Sequence, residues 1–160
     1  MGSLHFRLGG GFGGWDLSLS RDGKLVTGRM GGSLLGKDVR IELSDGRAYG
    51  RIGGTMDGKS LEFVLSEQQL NGRVGGRFGG ADIRLRDQDG RVDGRVGGER
   101  LGNDVQLRFA QGRIAGRIGG GTLGADVAGD YEDFPVLLAA AVAGAAQWMY
   151  EQNQSRNSRR

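Results

Sequence analysis

Arg7, Arg29, Arg51, Arg73, Arg95 and Arg117 stand 22 residues apart without a break. A guanidinium offers its donors in a planar fork, so six in register could gather phosphates or anionic headgroups. Nine residues after each arginine comes Asp16, Asp38, Asp82, Asp104 or Asp126, with Ser60 in the remaining copy. The acids give the arginines a second use, as partners across a hairpin in a structural charge belt. The belt is the simpler reading, because the aspartate recurs as faithfully as the arginine and exposed pairs are common.

The aspartates also raise the question of calcium. GGSLLGKDV, GGERLGNDV and GGGTLGADV are similar to the GGxGxD nonapeptide of calcium-binding β-rolls. Two extra residues interrupt that spacing, and one carboxylate per repeat is thin provision for an ion that takes roughly six to eight oxygens. The alternative is an Asp that stabilises a turn through its own backbone bonds. No cysteine occurs, which removes disulfides, thiolate metal sites and cysteine nucleophiles. The single histidine, His5, has no evident metal partner and is expected to be solvated near a frayed terminus. No GxxxxGK[ST] phosphate loop, serine–histidine–acid set or carboxylate pair can be assembled. The expectation is a protein that is not an enzyme and has no metal site and no cofactor.

The formal net charge of +3 resides mostly in the last ten residues, where Arg156, Arg159 and Arg160 oppose Glu151 alone. The remainder is near neutral, so no nucleic-acid partner is expected. The opening MGSLHFRLGG lacks the apolar run of a signal peptide, and the expected location is cytoplasmic.

Each arginine belongs to a five-residue motif, Gly-Arg-apolar-Gly-Gly, that begins at Gly28, Gly50, Gly72, Gly94 and Gly116. Phe6–Gly10, FRLGG, is a sixth copy with its first glycine replaced. The motifs help to raise glycine to 34 of 160 residues, about a fifth, against an ordinary usage of roughly 7%. Eight residues after each start lies another glycine: Gly14, Gly36, Gly58, Gly80, Gly102 or Gly124. An alternating run follows, such as Val39, Ile41, Leu43 or Val105, Leu107, Phe109. Period-two alternation is the pattern of a half-buried strand. RDGK, SDGR, QDGR and AQGR then mark turns, after which a second alternation begins. Each repeat therefore supplies two strands, and six repeats starting near 6, 28, 50, 72, 94 and 116 supply about twelve. The sixth degrades after Val127, where a capping or terminal function is expected. Antiparallel hairpins are favoured over the rival geometry, a parallel solenoid, because short turns of this type join strands locally.

After Gly129 the pattern changes to DYEDFPVLLAAAVAGAAQWMYEQNQSRNSRR. Asp130, Glu132, Asp133 and Pro135 precede an uncharged, alanine-rich run, which predicts a helix over 134–150. Residues 153–160 are expected as a basic, disordered tail that closes a single domain of residues 1–152. An apolar surface all round the helix needs burial, in the centre of a barrel, in a bilayer, or in a bundle through Ala139, Ala143 and Gly144. The first motif glycine shares a face with the apolar motif residue. If that face points inward, Gly28, Gly50, Gly72, Gly94 and Gly116 are vacancies that leave room for a slender helix. The expected fold is mainly β: a closed antiparallel barrel of hairpin repeats with the helix in its centre. Phe12, Trp15 and Phe78 are expected to plug the barrel ends.

Such a barrel threaded by DYEDFPVLLAAAVAGAAQWMYEQN resembles the tubby C-terminal superfamily, which includes phospholipid scramblases and LURP-one-related proteins. Its glycine-punctuated hairpins also resemble the shallow symmetric barrels called β-flowers. The GRxGG motif is not a tubby signature, and no lipid-contact residue carries over. The resemblance implies a non-enzymatic module that binds membranes or anionic phospholipid. A soluble scaffold whose outer strand faces contact another protein is the alternative. Arginines beside Trp148 and Tyr150 suit a membrane interface; a solubilising end is the competing use of the tail.

Overall fold

Alternating apolar residues become strands throughout this chain. The computed structural model describes residues 1–10, 13–31, 36–54, 58–76, 79–97, 102–119 and 124–158. It contains β1 (Gly2–Gly10), β2 (Gly13–Asp22), β3 (Leu25–Gly31), β4 (Gly36–Ser44), β5 (Arg47–Ile52) and β6 (Lys59–Leu65). These are followed by β7 (Gln69–Val74), β8 (Ala81–Gln88), β9 (Arg91–Gly97), β10 (Gly102–Ala110), β11 (Arg113–Ile118), β12 (Ala125–Glu132) and α1 (Val136–Ser158). Every strand pairs antiparallel with its neighbours in sequence, and β12 pairs with β1 to close a twelve-stranded barrel. The hairpin reading thus holds over the parallel solenoid and over any parallel β-roll. The sixth repeat takes the terminal function by pairing β12 with β1 to close the ring.

Closure turns the period of two into an inside and an outside. In β8, Ala81, Ile83 and Leu85 point inward and Asp82, Arg84 and Arg86 point outward. The inner faces make one apolar core in which Phe6, Ile41, Phe63 and Ile83 are wholly enclosed. No strand edge is left to template aggregation.

The two ends are built differently. At one, Asp45–Gly46, Asp89–Gly90 and Gln111–Gly112 have positive φ at both residues, the type I′ geometry whose twist matches the flanking strands. This is the turn end. At the other, the fourth motif residue has φ between 86° and 118° in five copies, at Gly31, Gly53, Gly75, Gly97 and Gly119, but not at Gly9 of the first. L-residues strain at such angles, so this position of the motif is fixed by backbone conformation. This is the glycine end.

The leading motif glycines do face inward, as Gly50 does between Ala48 and Ile52. Their role differs from the one expected. Each lies directly opposite a bulky core residue of the preceding strand: Gly28 opposite Leu19, Gly50 opposite Ile41, Gly72 opposite Phe63, Gly94 opposite Leu85 and Gly116 opposite Leu107. A Cβ at Gly28, Gly50, Gly72 or Gly94 would lie within 2.8 Å of the partner's side chain, and at all five it would press on a carbonyl oxygen of the same strand. The vacancy is filled by the neighbouring strand, not by the helix.

α1 begins at Val136, two residues later than expected, and continues to Ser158, so residues 153–158 extend the helix where a disordered tail was expected. Asp130 and Glu132 belong to β12, where they pair with His5 and Ser3, and do not start the helix. Arg21 holds the connection: its guanidinium meets the Asp133 carboxylate at 3.0 Å and donates to the Asp133 carbonyl at 3.1 Å. Phe134 is buried, and the chain enters α1 through Pro135, whose carbonyl accepts from Ala139 N–H. From Leu137 to Gln147 every helical residue is buried, on all faces. The helix touches β7–β10 on one side and β1 on the other. It runs through the barrel from the turn end to the glycine end.

Candidate functional site

The motif arginines all face outward, close to the glycine end, and the register sets five of the six against their own repeat's acid. Arg7 meets Asp16 at 3.1 Å, Arg29 meets Asp38 at 2.9 Å and Arg73 meets Asp82 at 2.6 Å. Arg95–Asp104 and Arg117–Asp126 are each 2.7 Å apart. Direct cross-strand pairing of this kind produces a belt of ion pairs around the barrel. The pairs are exposed, so each contributes only about 0.2–1 kcal/mol. Arg51 faces Ser60 and donates instead to the carbonyls of Gly54 at 3.0 Å and Gly58 at 3.3 Å. Replacing Ser60 with Asp is expected to complete the belt and to change stability by no more than about 1 kcal/mol, read from a urea midpoint. A larger gain would mean that the belt is more strongly coupled than exposed pairs are.

Inside the belt, the helix leaves the barrel among aromatic rings. Trp15, on the inner face of β2, packs edge-on against Tyr150 with ring centroids 5.7 Å apart. Trp148 lies against Gly75 at the end of β7. All three rings are half-buried. Trp15 therefore stands at a barrel end as expected, whereas Phe12 and Phe78 lie outside the described residues. Beside the rings, the Glu151 carboxylate accepts from Asn103 Nδ2 at 2.8 Å and from Gln147 Nε2 at 3.2 Å. This polar cluster was not singled out in the sequence. Asn103 takes a repeat position held by Lys37 in the second copy and Ala125 in the sixth, so no recurrence marks it.

The remaining sequence candidates are placed as follows. Arg156 lies near the end of α1, at residues whose backbone alone is described, and Arg159 and Arg160 lie outside the described residues. His5 is not at a frayed terminus: it sits in β1, paired with Ser18 and Asp130, and its Nδ1 hydrogen-bonds Ser18 Oγ at 2.7 Å. Among the described residues no three acidic or histidine side chains converge on a metal-sized site, and no helix is long and apolar enough to cross a membrane. The opposite, turn end is mixed in charge, with Asp22, Asp45, Glu67, Asp89 and Asp133 beside Arg21, Lys24, Arg47, Arg91 and Arg113. No protein-family model, curated protein or solved structure matches this chain.

Proposed function

We propose that this protein is a non-catalytic, tubby-like binding module that rests peripherally on the cytoplasmic face of a membrane and engages anionic phospholipid through its glycine end. One observation carries the reading: Trp15, Trp148 and Tyr150 gather, half-buried, at the end encircled by the six motif arginines. Amphipathic rings beside guanidinium groups suit the headgroup layer, where one part of the side chain is wet and the other is not. The charge arrangement adds to it. The sequence after Glu151, where α1 leaves the barrel at this end, holds three arginines and no acidic residue. Because most belt arginines are matched by aspartate, the arginines after Glu151, in a stretch whose sequence holds no acid, supply most of the attraction in this reading.

Both tryptophans of the chain lie at this rim, so their fluorescence reports on it directly. Vesicles of phosphatidylserine and phosphatidylcholine are expected to sediment the protein and to blue-shift its emission, and neutral vesicles are not. Removing residues 153–160 takes away three arginines and is expected to weaken anionic binding roughly a hundredfold, at about 1 kcal/mol for each basic residue near the surface. Sedimentation with neither vesicle type would sink the proposal.

A second reading, a scaffold that meets another protein with its outer strand faces, has its own support. Belt positions repeat from copy to copy, while the outward positions between the belt and the turns do not.

A further inference from the structure

The changing outward positions divide the barrel wall into faces of different chemistry. Around β1–β3 they are Ser18, Ser20, Thr27 and their small polar neighbours. Around β8–β10 they are Arg84, Arg86, Arg91 and Arg108, all exposed. Two registers on this face set arginine directly against arginine: Arg84 opposite Arg95, and Arg91 opposite Arg108. Like charges placed directly across a ladder destabilise a sheet. Arg91 has one acidic neighbour, Asp93 at 3.3 Å, and Arg95 has its belt aspartate. Arg84, Arg86 and Arg108 make no ion pair among the described residues. Beside Arg91 and Arg108 the small residues Ala115 and Gly116 leave a shallow depression of about 280 Å³.

We infer that the β8–β10 face is a docking surface for an acidic, extended segment of another protein, whose carboxylates pair with Arg84, Arg86 and Arg108. This rests on the scaffold reading and not on the membrane one, since the face lies on the side wall, away from the glycine end. The cations here are all arginines, whose planar fork takes a carboxylate through two hydrogen bonds. Arg84 and Arg86 are two residues apart on one strand, about 6.8 Å, which is the spacing of same-side residues in an extended peptide. A closed barrel has no edge on which a partner strand could be added, so recognition falls to side chains. A membrane is the poorer occupant because the large exposed apolar residues, Met1, Tyr49 and Val64, lie elsewhere. Single-stranded nucleic acid is also poorer, because the face offers no aromatic ring for base stacking.

The test uses the full chain and a fluorescent octaglutamate peptide, with binding followed by anisotropy at low ionic strength. Saturable binding is expected, and the double variant Arg84→Ser with Arg108→Ser is expected to weaken it by at least about tenfold, since charge-assisted bonds are lost. Arg40→Ser, on a different face beside Glu42, is expected to change it less than about twofold, within the small worth of an exposed charge. The double variant should melt no lower than the parent, because it relieves like-charge contacts. No binding of octaglutamate, an equal loss in Arg40→Ser, or tighter binding of an oligothymidylate of equal charge would each overturn the inference. Binding to anionic vesicles that the double variant abolishes would do the same, by assigning the face to the membrane.

Discussion

Gly72→Ala is expected to lower the thermal midpoint by roughly 6–12 °C, although it adds a single methyl group. The added Cβ would press on the Glu62 carbonyl oxygen and stand 2.7 Å from Phe63 Cα and 2.5 Å from Phe63 Cδ1. The backbone of β6 cannot retreat, because Phe63 is paired with Ala48 on one side and Gly72 on the other. Overpacking of this kind costs about 3 kcal/mol at the upper end of its usual range, and a domain of this size loses roughly 2–4 °C per kcal/mol. Gly76→Ala is the matched control. Nothing lies within 4 Å of a Cβ at that position, and its φ is not in the left-handed region. That variant is expected to stay within about 0.5 kcal/mol of the parent. Equal midpoints for the two variants would remove the close-approach account of the motif glycine.

The same comparison shows what the sequence could and could not convey. Alternation made the strands legible, and the aspartate–glycine turns made the hairpins legible, because both are local signals with a fixed period. The fixed distance from each arginine to its aspartate made the belt legible once the hairpin register followed. The reason for Gly72 was not legible. It depends on how closely two strands approach and on where the Phe63 ring leans, and neither has a sequence signature. An inward-facing glycine reads as an empty place until the neighbouring strand is set beside it.

The segment after Gly129 departs from its local sequence signals for a related reason. Asp130, Glu132 and Asp133 fit a helix start by type and position. Yet β1 needs a partner to close the ring, and pairing seven residues from Ser3 to Gly9 with β12 extends the strand to Glu132. Long-range closure overrode a local helix signal. The bonded role of Glu151 was not legible because its partners, Gln147 and Asn103, meet only where the helix leaves the barrel. The aromatic rim shares that origin. Trp15 and Tyr150 are 135 positions apart in the chain, and only the path of α1 through the barrel brings them together.

A chain ending at Asp133 is expected to lose its cooperative unfolding transition and to bind a hydrophobic dye. The inner wall is built from residues such as Leu4, Phe6, Ile41, Phe63 and Ile118, each almost without solvent contact while α1 is present. Twelve paired strands cannot contract around the missing helix without breaking ladders, so the space would become a large apolar cavity or fill with water. Cavity formation costs about 24 cal/mol per Å³, which for the volume of a helix exceeds the stability of an ordinary domain. The helix therefore completes the core, and its alanines set the bore. Ala140 is wholly buried at the centre of the run. Ala140→Leu is expected to cost about 2–3 kcal/mol by overpacking, whereas Gln152→Leu, at an exposed position, is expected to stay within about 0.5 kcal/mol. The leucine pair keeps the question open to measurement even if the truncated chain cannot be obtained in folded form. A truncated chain that melts cooperatively and leaves the dye dark would contradict a helix-filled barrel, as would equal stability of the two leucine variants.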